Sequence, residues 1–133
     1  MTRFALALCL FAAACSGERP IEITDARVQL PVIAGRPGAA YFTVSGGAPR
    51  TRLVSVSSPA IERIELHDSM ANGMRRLDAV PVGERLSFAP GGRHAMLFGI
   101  APATKAGDRV PLVFRFEPGG PVEVAAAVTA VGQ

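Results

Sequence analysis

Cysteine is almost missing from this chain of 133 residues. It has two, Cys9 and Cys15, both near the N-terminus. Everything downstream therefore lacks a thiolate for metal binding, a thiol for redox chemistry and a disulfide to close a loop. Long apolar runs are scarce too. The stretch Phe4 to Ala14 is shorter than the roughly 20 residues a membrane-spanning helix needs. Clustered charge is absent as well. The 14 cationic side chains, all arginine except Lys105, are scattered along a chain of net charge +3. That argues against a nucleic-acid footprint, which needs cations gathered on one face. There is no Gly-x-Ser-x-Gly, no P-loop and no dinucleotide-binding glycine motif. Neither of the two histidines, His67 and His94, stands beside a recognisable nucleophile. These absences point away from an enzyme. No window carries the 3.6-residue stripe of an amphipathic helix.

What is present begins with export. "MTRFALALCLFAAAC" has a basic start at Arg3, an apolar stretch and small residues before Cys15, which is the pattern of a secretory signal. Ala12-Ala13-Ala14-Cys15 also resembles a bacterial lipobox, so Cys15 is expected to be the lipidated mature N-terminus. Each acyl methylene adds roughly 0.8 kcal/mol of membrane affinity, and several chains together anchor stably. The expected organisation is a signal over 1–15, a polar tether over 16–20 and one folded domain over 21–133. With 49% hydrophobic residues, that domain can build a core of its own.

Its pattern is all β. Strand-like runs cover 40–45, 51–58, 61–69, 84–90, 93–100, 109–117 and 122–131. Gly-Gly and Pro-Gly pairs punctuate them, and Asn72-Gly73 is a hairpin signal. Val110, Leu112, Phe114 and Phe116 alternate onto one face, as do Val122, Val124, Ala126 and Val128. Many short strands at this spacing predict an antiparallel β-sandwich or barrel. Pro111 lacks a donor, so its strand should lie at an edge or turn that residue away from its neighbour.

The chemistry-bearing residues are few and close together. Downstream of the signal every Met and His lies between 67 and 96: His67, Met70, Met74, His94 and Met96. His94 and Met96, two apart on a strand, share a face with Cα atoms about 6.5 Å apart. His67 ends the run "IERIELH", and Met70 and Met74 flank the turn after it. If both strand ends reach one rim, imidazoles and thioethers converge. Neutral thioether and imidazole without thiolate or carboxylate suit Cu(I) better than Zn(II) or Mg(II). The plainer alternative is that the methionines fill a core and the histidines are ordinary strand-end residues. Asp68 should point away from His67. Glu62, Glu65 and Asp68 read as the solvated face of a strand and its exit. Arg75 and Arg76 read as surface charge or a docking contact.

"RLVSVSSPAIERIELHDSM", "MRRLDAVPV", "FAPGGRHAMLFGI" and "GDRVPLVFRFEPGGPVEVAAAV" together resemble the periplasmic copper chaperone PCu(A)C family, over about residues 22–130. The most specific part is Pro-Gly-Gly-x-His-x-Met-Leu, met by Pro90 to Leu97. The resemblance implies a cupredoxin-like β-sandwich with an immunoglobulin-like Greek key, binding one Cu(I) at an exposed rim. Carried onto this chain, the ligands would be His67, Met74, His94 and Met96. Only six residues separate His67 from Met74, fewer than in the family pattern. Leu77 can align with the usual Met as readily. Met74 is preferred because "RRLDAVPV" then falls into register, and Met70 is the reserve.

The function so implied is a periplasmic, lipid-anchored, monomeric Cu(I) carrier without catalysis. It would deliver copper by ligand exchange toward the dinuclear copper centre of cytochrome oxidase. Its acceptor would be an oxidase subunit or a second copper chaperone, with no role for nucleic acid. A copper storage or resistance lipoprotein fits the same residues, and so does a structural β-sandwich lipoprotein with no metal.

Overall fold

The computed structural model describes residues 18–132. The signal, Cys9 and the lipobox with Cys15 lie outside them. The described chain holds ten strands: β1 (Arg19–Gln29), β2 (Gly38–Gly47), β3 (Arg52–Ser57), β4 (Ile61–Met70), β5 (Gly73–Leu77), β6 (Val80–Pro81), β7 (Arg85–Phe88), β8 (His94–Ile100), β9 (Arg109–Glu117) and β10 (Pro121–Thr129). Hydrogen-bonded neighbours run in the order β5-β4-β8-β2-β1-β10-β9-β3-β6, and β7 pairs with β2 beside β8. Among the described residues no helix is long and apolar enough to cross a membrane.

The alternation anticipated in β9 and β10 builds the interior. Val110, Leu112, Phe114 and Phe116 are all buried, as are Ala126 and Val128, while Val122 and Val124 pack against them partly covered. From the other layer β2 turns Ala40, Phe42 and Val44 inward, and β8 turns Ala95 and Leu97 inward. The layers meet where the Phe42 ring stacks on Phe88 at 4.5 Å and takes the edge of Phe114 at 4.7 Å. Offset and edge-on pairs at this distance add about 0.5–1.5 kcal/mol each beyond the area they bury. The result is a two-layer sandwich with its core between the layers.

Two expectations change. Pairing is antiparallel except between β1 and β10, which run parallel over Arg27–Gln29. The sheet is also not closed into a barrel, since β5 and β6 end the strand order. The parallel pair comes from β1, a strand the sequence runs above did not single out. It starts at Arg19, inside the stretch expected as tether. Its apolar residues change parity, from Ile21 and Ile23 to Ala26 and Val28. The change coincides with a register shift between Thr24 and Arg27 and with Asp25 at φ 55°. A bulge of this kind bends a strand, and beyond it β1 reaches β10 of the second layer. Pro111 lies in an interior strand, opposite Ala125 of β10. The β3 ladder stops at Val113, so beyond that point Pro111 has no β3 neighbour to fail.

A turn aims the strand that matters most for the site. Gly92 N donates to Ala89 O at 3.1 Å, with Pro90 and Gly91 between them and Gly91 at φ +84°. Proline at the second position and a positive-φ glycine at the third are the requirements of a type II turn. It sets β8 running out from the rim with His94 as its first residue.

Phe114→Ala removes the aromatic edge between the layers. It is expected to lower stability by about 3–5 kcal/mol, read as a fall in the urea midpoint with unchanged slope. A loss below about 1 kcal/mol would mean that the two layers do not meet through this ring.

Candidate metal centre

The pairing of β4 with β8 brings the two histidines together. The strands are antiparallel, with Glu65 opposite Met96 and His67 directly opposite His94. The imidazole rings stack with centroids 5.8 Å apart and planes 23° from parallel. Met96 follows His94 by two residues, so it shares that face. This face points away from the core, because the intervening Ala95 and Leu97 are fully buried. His67 is nonetheless well covered, its side chain 13% exposed.

The β4–β5 hairpin places the two remaining methionines on opposite faces. Met74 lies opposite Ser69, and Arg76 lies opposite His67. Residues opposite one another share a face, and so do residues two apart. Met74 therefore stands on the face of His67 and His94. Met70, opposite Gly73, stands on the other face with Asp68. Both thioethers are open to solvent, at 57% exposure for Met74 and 50% for Met70. Leu77 lies opposite Leu66, a buried core residue, and so faces inward.

Hydrogen bonds assign the protons on both rings. His94 Nδ1 lies 3.1 Å from the carbonyl oxygen of Gly92. A carbonyl only accepts, so Nδ1 carries a proton, and in the neutral ring Nε2 keeps its lone pair. His67 Nε2 lies 3.0 Å from Glu65 Oε2. The His67 hydrogen bond holds the Glu65 carboxyl below the usual glutamate range, helped by Arg63 and Arg76 and opposed by desolvation. An ionised carboxylate only accepts, so Nε2 of His67 carries a proton, and in the neutral ring Nδ1 is then bare. That Nδ1 is buried and has no hydrogen-bond partner. A buried acceptor left unpaired costs about 1–3 kcal/mol, and such atoms in folded proteins call for a reason. A metal ion bound to the lone pair would supply one.

Glu65 is the residue that strand-by-strand reading missed. It is not part of a solvated face. It is half-buried, bonded to His67, and ion-paired with Arg63 Nε at 3.2 Å and Arg76 Nη1 at 3.7 Å. The signal was available: Glu65 stands two residues before His67, the spacing that links His94 to Met96. Asp68 faces away from His67, opposite Arg75 on β5 and 4.0 Å from Arg93 Nε.

Among the described residues no group of three His, Cys, Asp or Glu side chains is placed to hold a metal ion. The donors available on this face are two imidazoles and the thioethers of Met96 and Met74. Low charge and soft sulfur are the preferences of a monovalent copper ion. His94 and Met96 also line a shallow depression of about 250 Å³ beside Tyr41, Leu30 and Pro31, so this side of the site is open.

The family described as "Putative lipoprotein LpqE-like" matches residues 21–128. The "Putative lipoprotein Lxx21020" of Leifsonia xyli subsp. xyli is 30% identical over 137 aligned positions, which cover 81% of this chain and 82% of that protein. The copper-bound PCuAC domain from PmoF2 superposes with a TM-score of 0.72 at 28% identity, over 85% of this chain and 95% of that domain. The solution structure of CuI-DR1885 from Deinococcus radiodurans gives a TM-score of 0.72 at 24% identity, over 90% of this chain and 85% of that one. The fold is thus the cupredoxin-like β-sandwich of PCuAC domains, all β and unclosed.

Because the Glu65 carboxyl is held below the ordinary value of 4.5, its stabilising contribution is complete above that value. It is lost as pH falls through the lower folded-state value. The thermal-midpoint difference between wild type and Glu65→Gln should therefore persist from neutral pH down to about 5 and shrink below about 4.5. A difference independent of pH across that range would show that the carboxylate charge does not act on the fold.

Proposed function

The chain belongs to the LpqE-like lipoprotein family, of PCuAC type, and from that premise we propose that it is a copper chaperone carrying one Cu(I) ion at the β4–β8 rim. The observation that carries this reading is the buried, unpartnered Nδ1 of His67 beside the stacked ring of His94. In this reading His67 Nδ1, His94 Nε2, the Met96 sulfur and the Met74 sulfur bind the ion. Met74 is favoured over Met70 because it shares the face of both histidines. The copper-bound PCuAC domain from PmoF2, 28% identical to this chain, supports the choice of metal.

Delivery follows from a ligand set that is open to solvent on its Met74 side. Two of the ligands are thioethers, which are weakly basic, and Met74 is more than half exposed. A partner's donor can approach the ion from the open side while the imidazoles still hold it, so copper passes by ligand exchange without being freed. The protein acts as a carrier and performs no catalysis. We place this work in the periplasm. The membrane anchor would be Cys15, a reading supported by the lipoprotein names of the family and of its relative. The acceptor would be the dinuclear copper centre of cytochrome oxidase.

Anaerobic titration with Cu(I) against a coloured chelator tests the site. Wild type should take up one equivalent. His67→Ala and His94→Ala should each weaken binding by at least about tenfold, or 1.4 kcal/mol. Met74→Leu should weaken it and Met70→Leu should not. A Met70→Leu loss with Met74→Leu unchanged would reverse the assignment, and no uptake by wild type would end the copper reading.

Copper and protons compete for the imidazole lone pairs, so Cu(I) affinity should fall as pH is lowered from about 7.5 to 5. Constant affinity over that range would remove both histidines from the ligand set. Loaded protein mixed with an apo oxidase fragment bearing the dinuclear site should transfer its copper. Retention of the ion would exclude that acceptor.

A further inference from the structure

Glu65 binds no metal in the reading above, yet it holds the ring that does. Glu65 and His67 stand two apart on β4, so the carboxylate and the imidazole share a face. Oε2 accepts from His67 Nε2 at 3.0 Å. Oε1 is held by Arg63 Nε at 3.2 Å and by Arg76 Nη1 at 3.7 Å. Arg63 comes from the same strand, and Arg76 from β5, where it lies opposite His67. Arg63 is fixed in turn, its guanidinium carbon 4.2 Å from the centre of the Phe98 ring on β8. The carboxylate is therefore gripped through side chains of all three strands that carry the site.

This arrangement does more than add surface ion pairs. An isolated imidazole can place its single proton on either nitrogen, and the partner of one nitrogen decides which of them is free for a metal. Here Nε2 has an acceptor, whereas Nδ1 is buried with none. We propose that Glu65 is a positioning residue that keeps the His67 proton on Nε2 and so presents Nδ1 as the copper-binding nitrogen. The inference rests on the copper reading of this site and adds the element that selects the nitrogen. Arg63 and Arg76 hold the carboxylate in place and keep it from competing as a ligand itself.

The experiment uses wild type, Glu65→Gln and Glu65→Ala, each labelled with ¹⁵N-histidine. Two-bond proton–nitrogen correlation spectra of the copper-free protein at mildly alkaline pH report the His67 tautomer. Cu(I) competition with a chelator reports affinity for the same samples. Wild type should show the proton on Nε2. Glu65→Gln, whose amide oxygen still accepts, should keep that tautomer and stay within about threefold of wild-type affinity, whereas Glu65→Ala should mix the tautomers and bind about 10–100-fold more weakly. An unchanged tautomer or unchanged affinity in Glu65→Ala would overturn the proposal. So would a Glu65→Gln variant as weak as Glu65→Ala, because charge and not proton placement would then be acting. A wild type that takes up no Cu(I) would sink the copper reading and the ligand-presenting role with it. The copper-free spectra decide independently whether Glu65 fixes the ring.

Discussion

The antiparallel register of β4 against β8 is the constraint on which the rest of the site depends. It sets His67 opposite His94, although 26 residues lie between them in the chain. A slip of one residue would carry every side chain of one strand to the opposite face. His94 and Met96 would then enter the core, and Ala95 and Leu97 would meet water. The register is fixed from inside. Leu66 on β4 and Ala95 and Leu97 on β8 are buried, and a one-residue slip of either strand would turn its share of them to water. The hydrophobic core thereby determines the geometry of a polar site on its outer surface.

The core can do this because it is anchored elsewhere. Phe42, Phe88 and Phe114 pack together across the layers, buried in the core. The outer face of β4, β5 and β8 is left free to carry residues that a core would reject. Its polar groups satisfy one another: Glu65 with His67, Arg63 and Arg76, and Arg63 with the Phe98 ring. Within this network His67 Nδ1 stays unpaired. Local dissatisfaction in an otherwise well-paired region is the form a binding site takes before its ligand arrives.

The hairpin between β4 and β5 adds a different element. Its tip carries two thioethers, Met70 and Met74, on opposite faces and both exposed. A thioether in solvent gains little from burial, so neither methionine is there to fill a core. Met74 lies toward the histidines because it is opposite Ser69, two residues beyond His67. The shortened loop between His67 and Met74 is thus compatible with a sulfur on the site face, reached from the hairpin tip.

The sequence alone carried what depends on local periodicity. Alternation marked the inward faces of β9 and β10, the Pro-Gly-Gly turn marked the start of β8, and the two-residue spacing put His94 and Met96 on one side. It also showed that the metal-capable residues crowd between 67 and 96 and include no cysteine. Only the tertiary structure decided which strands became neighbours. That Glu65 belongs to His67, that Met74 and Met70 diverge, and that β1 bends past a bulge to join β10 in parallel all follow from pairing between distant segments. Periodicity records the faces of a strand. The partner across it depends on how the whole core closes, and that information is held by no single stretch of chain.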